Sequence, residues 1–184
     1  MNKAKSDLAV APPPGEKAKG SAMHKTRNDL SEVLRKKMIA LLNLRLADSI
    51  DLKLRSKHAH WNVKGAHFFA LHELFDKVAG SAEEWSDDLA ERAAQLGGVA
   101  EGLVPAVKER STLGDYPADI FEGQDHVEAL SSSLASFCRQ VRRAIDQAAK
   151  AGDQTTADLF TEISRGADKQ LWFVEAHLQG RSNA

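Results

Sequence analysis

The sequence predicts an all-α protein built from four long amphipathic helices. Apolar residues recur at three- and four-residue steps through four separate segments, which is the period of a helix that buries one face. No segment shows the alternating apolar and polar pattern of a half-buried strand. Glycine and proline residues separate the four patterns, and one separator, residues 99–122, is long enough to cross between the ends of a bundle.

The first two helices are joined by a short turn. The first pattern begins after Asn28 and Asp29, which are suitable capping residues, and continues to about His60. Gly65 then breaks the chain, and the second helix ends at Gly97-Gly98, the residue type expected beyond a helix C-terminus. The second core stripe consists of Leu71, Phe75, Val78, Ala82, Trp85, Leu89, Ala93 and Leu96.

The last two helices have equally regular patterns. The third ends near Gly152 and the fourth at Gly180. The connection 99–122, which includes one short helix, permits the second and third helices to run parallel. Four helices with one long crossover between helices 2 and 3 form a ferritin-like four-helix bundle, which we predict for residues 28–180. Residues 1–27 are predicted to be a flexible basic arm and residues 181–184 a short C-terminal tail.

Composition excludes several classes of protein. No apolar stretch approaches the roughly 20 residues that span a bilayer, and the N-terminal segment lacks the continuous apolar core of a signal peptide. The single cysteine, Cys138, continues an apolar helix stripe and is interpreted as a core residue. We therefore expect a cytoplasmic protein without a membrane partner.

The net charge of −1 conceals a basic arm and an acidic body. Residues 1–27 carry six basic and two acidic side chains, a balance of +4, so the remainder carries −5. Lysines spaced along a flexible chain suit contacts with phosphates without sequence preference. The arm is therefore a candidate for binding double-stranded DNA, and a solvated tail with no partner remains the alternative. Its basic residues are Lys3, Lys5, Lys17, Lys19, Lys25 and Arg27.

Four potential metal ligands share one stripe of the second helix. His72 and Asp76 are four residues apart, as are Asp87 and Glu91, so each pair shares a helix face. The pairs are separated by about 16 Å along the axis, which is too far for one ion. Two antiparallel copies of the helix would bring His72 and Asp76 of one chain opposite Asp87 and Glu91 of the other. The midpoint of the stripe, residues 79–82, contains only small residues that allow close approach.

The donor set points to a transition metal. Imidazole with carboxylate suits Fe(II) or a similar ion better than calcium or magnesium. None of the seven histidines follows a glutamate by three residues, so the Glu-x-x-His motif of an internal di-iron site is absent. The residue types alone leave open an ordinary solvated helix surface.

Several segments of the chain resemble the Dps family, the DNA-binding proteins from starved cells. The likeness covers residues 28–178, and residues 59–66, Ala-His-Trp-Asn-Val-Lys-Gly-Ala, form its most specific block. Leu-His-Glu-Leu-Phe-Asp at 71–76, Asp-Leu-Ala-Glu-Arg-Ala at 88–93 and Asp-Lys-Gln-Leu-Trp-Phe at 168–173 continue it.

The resemblance implies a ferroxidase centre between two-fold related subunits. Carried over by position, His60, His72 and Asp76 would come from one chain, and Asp87 and Glu91 from its partner. It further implies that Fe(II) is oxidised to Fe(III), with hydrogen peroxide preferred to dioxygen, and is stored as mineral in a shell of twelve subunits. Since His60 and His72 must be unprotonated to bind iron, activity should fall in acid.

Three points remain open from the sequence. Family members bind DNA through N-terminal lysines, although not all do, and a nucleoid-associated location would follow. The competing function is a structural DNA-compacting protein whose carboxylates only close subunit contacts. Trp61, beside His60, is interpreted as a core aromatic residue, and a sacrificial electron donor is the alternative.

Overall fold

The computed structural model describes residues 23–179 and confirms the all-α, ferritin-like fold. Four long helices form the bundle, and the short helix expected in the crossover is present. Within the described residues there is no strand, and one isolated bridge joins Lys64 to Glu122. The helices are α1 (Glu32–Asn62), α2 (Phe68–Gln95), α3 (Val104–Arg110), α4 (Gly123–Ala151) and α5 (Gln154–Glu175).

The helix boundaries have identifiable local causes. The cap of α1 is Ser31, whose hydroxyl accepts a hydrogen bond from the backbone N–H of Leu34, so α1 begins slightly later than the sequence predicted. Asp153 caps α5 in the same way. Between α4 and α5, Gly152 adopts φ +93°, a left-handed conformation that lets α4 end and the chain reverse at once.

The long crossover makes α2 and α4 run in the same direction. Leu71 and Gly123 are neighbours near the N-terminal ends of the two helices, where a Cβ on Gly123 would lie 2.6 Å from the Leu71 side chain. Further along both helices, the rings of Trp85 and Phe137 stack with their centroids 5.6 Å apart. The parallel arrangement predicted from the connection length is therefore confirmed.

The bundle core consists of aromatic and aliphatic side chains from all four long helices. Phe75, Phe137 and Phe160 are fully buried, and burial of each contributes about 2–3 kcal/mol to stability. Cys138 is also fully buried, as predicted, and burial raises the pKa of its thiol to about 12. This thiol therefore stays protonated and unreactive.

The crossover is attached to α1 by buried polar groups. Asp48 pairs with Arg45 at 3.0 Å and accepts a hydrogen bond from the backbone N–H of Thr112 at 2.6 Å. Arg55 pairs with Asp51 at 2.8 Å and also donates to the Leu113 carbonyl. These contacts explain why α1 buries polar as well as apolar side chains, which its apolar periodicity did not predict.

The basic arm and the C-terminal tail are only partly described. Lys3, Lys5, Lys17 and Lys19 lie outside the described residues, as do residues 180–184. In the described part of the arm, the backbone N–H of His24 donates to the Gly97 carbonyl, which places this segment against the end of α2. Among residues 23–179, none of the helices combines the length and apolar character that crossing a bilayer requires.

Candidate metal centre

His60 and His72 hold each other in place through reciprocal hydrogen bonds. Nδ1–H of His60 donates to the backbone carbonyl of His72 at 2.8 Å, and Nδ1–H of His72 donates to the carbonyl of His60 at 2.9 Å. The two rings stack with their centroids 3.7 Å apart and an interplanar angle of 23°. The last turn of α1 is thereby fixed against the first turn of α2.

These hydrogen bonds determine which nitrogen of each ring can bind a metal. A carbonyl oxygen can only accept, so Nδ1 must carry the proton in both rings. Nε2 of each neutral ring then keeps its lone pair. A second ring nitrogen that donates to a carbonyl is the usual support of a metal-binding histidine. The structure therefore presents two oriented nitrogen ligands side by side.

Asp76 lies one helical turn after His72 and joins this pair. Its Oδ1 is 4.0 Å from Nδ1 of His60 and accepts a hydrogen bond from the Lys57 ammonium at 2.6 Å. The hydrogen bond and the charge of Lys57 lower the pKa of Asp76, so the carboxylate stays ionised. The Asp76 side chain is 51% exposed, which leaves it able to turn toward a cation.

Asp87 and Glu91 lie on the exposed face of α2, three to four turns further along. They belong to a larger acidic patch. The pKa of the neighbouring Asp88 is raised by its partial burial and by the negative charges of Glu162, Asp87, Glu91 and Glu84. This concentration of negative charge attracts cations.

The five predicted ligands do not meet within one chain. His60, His72 and Asp76 lie together, whereas Asp87 and Glu91 are about 16 Å away along α2. Within residues 23–179, no cluster of three or more histidine, cysteine, aspartate or glutamate side chains could hold a metal ion by itself. The protomer thus contains the predicted ligands in two separate sets.

Two expectations about the surrounding surface need correction. The prediction that Trp61 packs in the core is wrong for the protomer, because its side chain is 68% exposed and has the Lys57 ammonium 5.9 Å from its ring. In the small-residue midpoint of α2, Ala79 and Ala82 face the protomer's own core. Gly80 is exposed, and a Cβ there would meet no atom within 4 Å.

Sequence comparison gives the family to which this fold and site belong. The sequence model of the ferritin-like domain matches residues 39–182. A DNA protection during starvation protein of Agrobacterium fabrum is 46% identical over 159 residues, covering 86% of this chain and 98% of that relative. The chain belongs to the Dps family.

Solved structures agree with this assignment. DpsA14 from Streptomyces coelicolor matches this Dps-family chain with a TM-score of 0.82 and 34% identity, covering 89% of this chain and 97% of that one. Dps from Microbacterium arborescens, solved in a high iron form, matches with a TM-score of 0.75 and 33% identity, covering 80% and 95%.

Sequence reasoning missed the charged residues that surround the ligands in this Dps-family protein. Lys57 is the counter-ion of Asp76, and its position one turn before His60 was the available signal. The acidic patch was also missed, although Glu84, Asp88 and Glu91 follow helical spacing. Of the predicted DNA-binding residues, Lys25 and Arg27 are described, and both side chains are exposed.

Proposed function

We propose that this protein is a ferroxidase that oxidises Fe(II), with hydrogen peroxide as the preferred oxidant, at sites shared between two copies of the chain. The Fe(III) product is stored as a mineral inside a closed homo-oligomer of twelve subunits. The relative described in a high iron form supports a role with iron. Iron is thus substrate and cargo.

The arrangement of His60 and His72 is the observation that carries this proposal. Their Nδ1–H groups are committed to backbone carbonyls, so in each neutral ring the lone pair is on Nε2. A merely structural surface has no need of two aligned, unprotonated imidazole nitrogens. Asp76 adds a carboxylate oxygen 4.0 Å from Nδ1 of the same His60 ring.

A second chain would supply the missing negative charge. In an antiparallel pair of α2 helices, Asp87 and Glu91 of one chain lie opposite His72 and Asp76 of the other, and the two-fold axis creates the site twice. The carboxylates would neutralise the cations. Hydrogen peroxide would then take one electron from each of two ferrous ions and two protons from solvent, leaving as two water molecules, which avoids the release of hydroxyl radicals.

The proposal extends to DNA and to cellular location. The relative from Agrobacterium fabrum is named for DNA protection during starvation. Twelve copies of the basic arm would form a multivalent polycation around an acidic body. We place the protein in the cytoplasm, associated with the nucleoid, where consuming ferrous iron together with peroxide would shield the bound DNA.

The shared site can be tested by mixing two inactive chains. One variant carries His60→Ala and His72→Ala, and the other carries Asp87→Ala and Glu91→Ala. Each alone should lose peroxide-dependent Fe(II) oxidation. When the two are co-expressed, random pairing makes half of the dimers mixed, and each mixed dimer contains one intact site. About a quarter of the wild-type activity should therefore return.

The opposite results identify the competing functions. Because both variants would be inactive if one protomer held the whole site, mixing them would then restore nothing. If both variants oxidise iron as fast as wild type while DNA is still compacted, the structural DNA-compacting function is correct. Size-exclusion chromatography of each mixture confirms that assembly is intact.

DNA binding by the arm has its own test. Replacing Lys3, Lys5, Lys17, Lys19 and Lys25 with glutamine should abolish retardation of double-stranded DNA in a gel and leave Fe(II) oxidation unchanged. Replacing the same lysines with arginine conserves the charge and should preserve retardation. Unchanged retardation by the glutamine variant would show that these lysines do not bind DNA.

A further inference from the structure

A second pair of histidines includes one member, on α1, that lies two residues before His60 and is turned about 200° from it around the helix. His126, in the first turn of α4, is fully buried, and His58 lies on α1 facing it. Nε2 of each ring is inaccessible to solvent and, among the described residues, has no hydrogen-bond partner. An unpartnered buried nitrogen is costly, and here two of them occur on neighbouring rings.

The spacing of the two rings can be compared with that of imidazoles that share one ion. Their centroids are 6.2 Å apart, and the two nitrogens make no direct hydrogen bond to each other. A metal–imidazole bond is about 2 Å long, so an ion held between two imidazoles at an open angle separates the ring centres by about 6 Å. The observed spacing fits an ion bound by two nitrogens.

Neighbouring groups support metal binding by His126. Its Nδ1 lies 3.1 Å from the hydroxyl of Tyr116, and when Nδ1–H donates to this oxygen, Nε2 carries the lone pair. Burial, aided by the proximity of His58, lowers the pKa of His126 and keeps the ring neutral. Burial also raises the pKa of Tyr116 to about 12, so the phenol adds no charge.

The contact between the His58 ring and Asn62 is a weak one. Its Nδ1 has a contact of 3.5 Å with the amide nitrogen of Asn62, at the outer limit of hydrogen bonding. The same amide donates a shorter bond, 2.8 Å, to the His58 carbonyl. Asn62 therefore stays in place if the proton of His58 moves to Nδ1 and Nε2 becomes a ligand.

The donor set selects the kind of ion. In the part of the chain that the structure describes, the two histidines are not joined by the third histidine, cysteine or carboxylate that zinc and other divalent ions require. The Phe75 ring, with its centroid 6.2 Å from that of His126, makes the surroundings apolar. Two neutral nitrogens in a dry site suit a monovalent d¹⁰ ion, which accepts two ligands and brings only one charge. We propose that His58 and His126 form a buried two-coordinate site for Cu(I).

Copper titration of the full-length oligomer tests this site. The protein should carry His60→Ala and His72→Ala, so that the proposed iron ligands contribute nothing. Cu(I) is added without oxygen against a coloured Cu(I) chelator. One Cu(I) should bind per chain, and X-ray absorption should show two nitrogen neighbours. Adding either His58→Gln or His126→Gln should weaken binding at least about 100-fold.

A matched variant and a second observation make the test decisive. His177→Gln changes an exposed histidine and should bind Cu(I) as before. If His126→Gln fails to assemble, His58→Gln decides, because His58 is less deeply buried. Undiminished binding in His58→Gln overturns the proposal, as does a crystal structure of the copper-treated protein with only a water molecule between the two Nε2 atoms.

Discussion

The two sets of ligands on this protomer differ in how firmly they are held. His60 and His72 are fixed by two backbone hydrogen bonds and by ring stacking, and the His60 side chain is only 13% exposed. Asp87 and Glu91 are exposed and, among residues 23–179, take part in none of the ion pairs. One set provides a fixed geometry, because its two rings are already held in place. The other provides charge, because its carboxylates repel one another until a cation arrives.

This difference explains why the site would be divided between chains. A carboxylate next to the histidines in the same protomer would form a permanent ion pair with a nearby lysine, as Asp76 does with Lys57. Because Asp87 and Glu91 lie about 16 Å away along α2, they would come close to the histidines only when two chains pair. Under the proposed function, a complete site would then exist only in the assembled particle, where the product would be stored.

The largest effect is expected when the exposed carboxylates, Asp87 and Glu91, lose their charge. Asp87→Asn with Glu91→Gln keeps the size of both side chains and removes two negative charges from the proposed site. Peroxide-dependent Fe(II) oxidation should fall at least about 100-fold, because two ligands to the cations become neutral. Stopped-flow absorbance of Fe(III) formation measures the rate.

The matched control uses two exposed aspartates on other helices, outside the stripe. Asp146→Asn with Asp158→Asn changes the net charge by the same amount and should leave the rate within about twofold. Equal losses in the two double variants would mean that overall charge, and not ligation by Asp87 and Glu91, attracts the iron.

A smaller effect is expected when the surroundings of His60, His72 and Asp76 are changed. Lys57 is bonded to Oδ1 of Asp76 and would compete with a cation for this carboxylate, so Lys57→Gln should tighten Fe(II) binding several-fold in an anaerobic titration. Lys53→Gln is the control, because Lys53 makes an equally short ion pair with Glu83 one turn earlier on α1. If both variants bind iron alike, the Lys57–Asp76 pair does not compete with the metal.

The smallest effect is on stability and depends on pH. Since the pKa of Asp88 is raised in the folded protein, its ionised form is destabilising at neutral pH, and this cost disappears as the pH falls through the raised value. Asp88→Asn should raise the melting temperature at neutral pH by about 1–2 °C, after allowance for solvent screening. The gain should vanish in acid.

Calorimetry at two pH values checks this prediction. Asp146→Asn, an exposed aspartate on α4 outside the acidic patch, should show no such gain. A gain for Asp88→Asn that is the same at both pH values would show that repulsion within the patch is not its cause.

Much of the fold could be predicted because helix periodicity is a local property. The stripe from Leu71 to Leu96 identified the buried face of α2, and Gly152 identified the turn between α4 and α5. The start of α1 was placed slightly early, because Asn28 resembles a cap but its side chain accepts a bond from the backbone of Leu30 outside the helix. Apolar periodicity does not show which of two neighbouring polar residues caps the helix.

The site was predictable as a set of residue types but not as an arrangement. Spacing placed His72 and Asp76 on one helix face, yet no pattern shows that the backbone of each histidine accepts a hydrogen bond from the other's ring. The exposure of Trp61 was missed for a related reason, since burial depends on which helices pack beside a residue.

The sequence by itself determined the helices, their apolar faces and the separation of the ligands along α2, because each follows from a fixed rise and rotation per residue. Only the tertiary structure decided the protonated nitrogen of His60 and His72, the counter-ion of Asp76 and the burial of His58 beside His126. Each of these depends on atoms from two helices that are remote in sequence, and their relative placement is set by packing of the whole bundle.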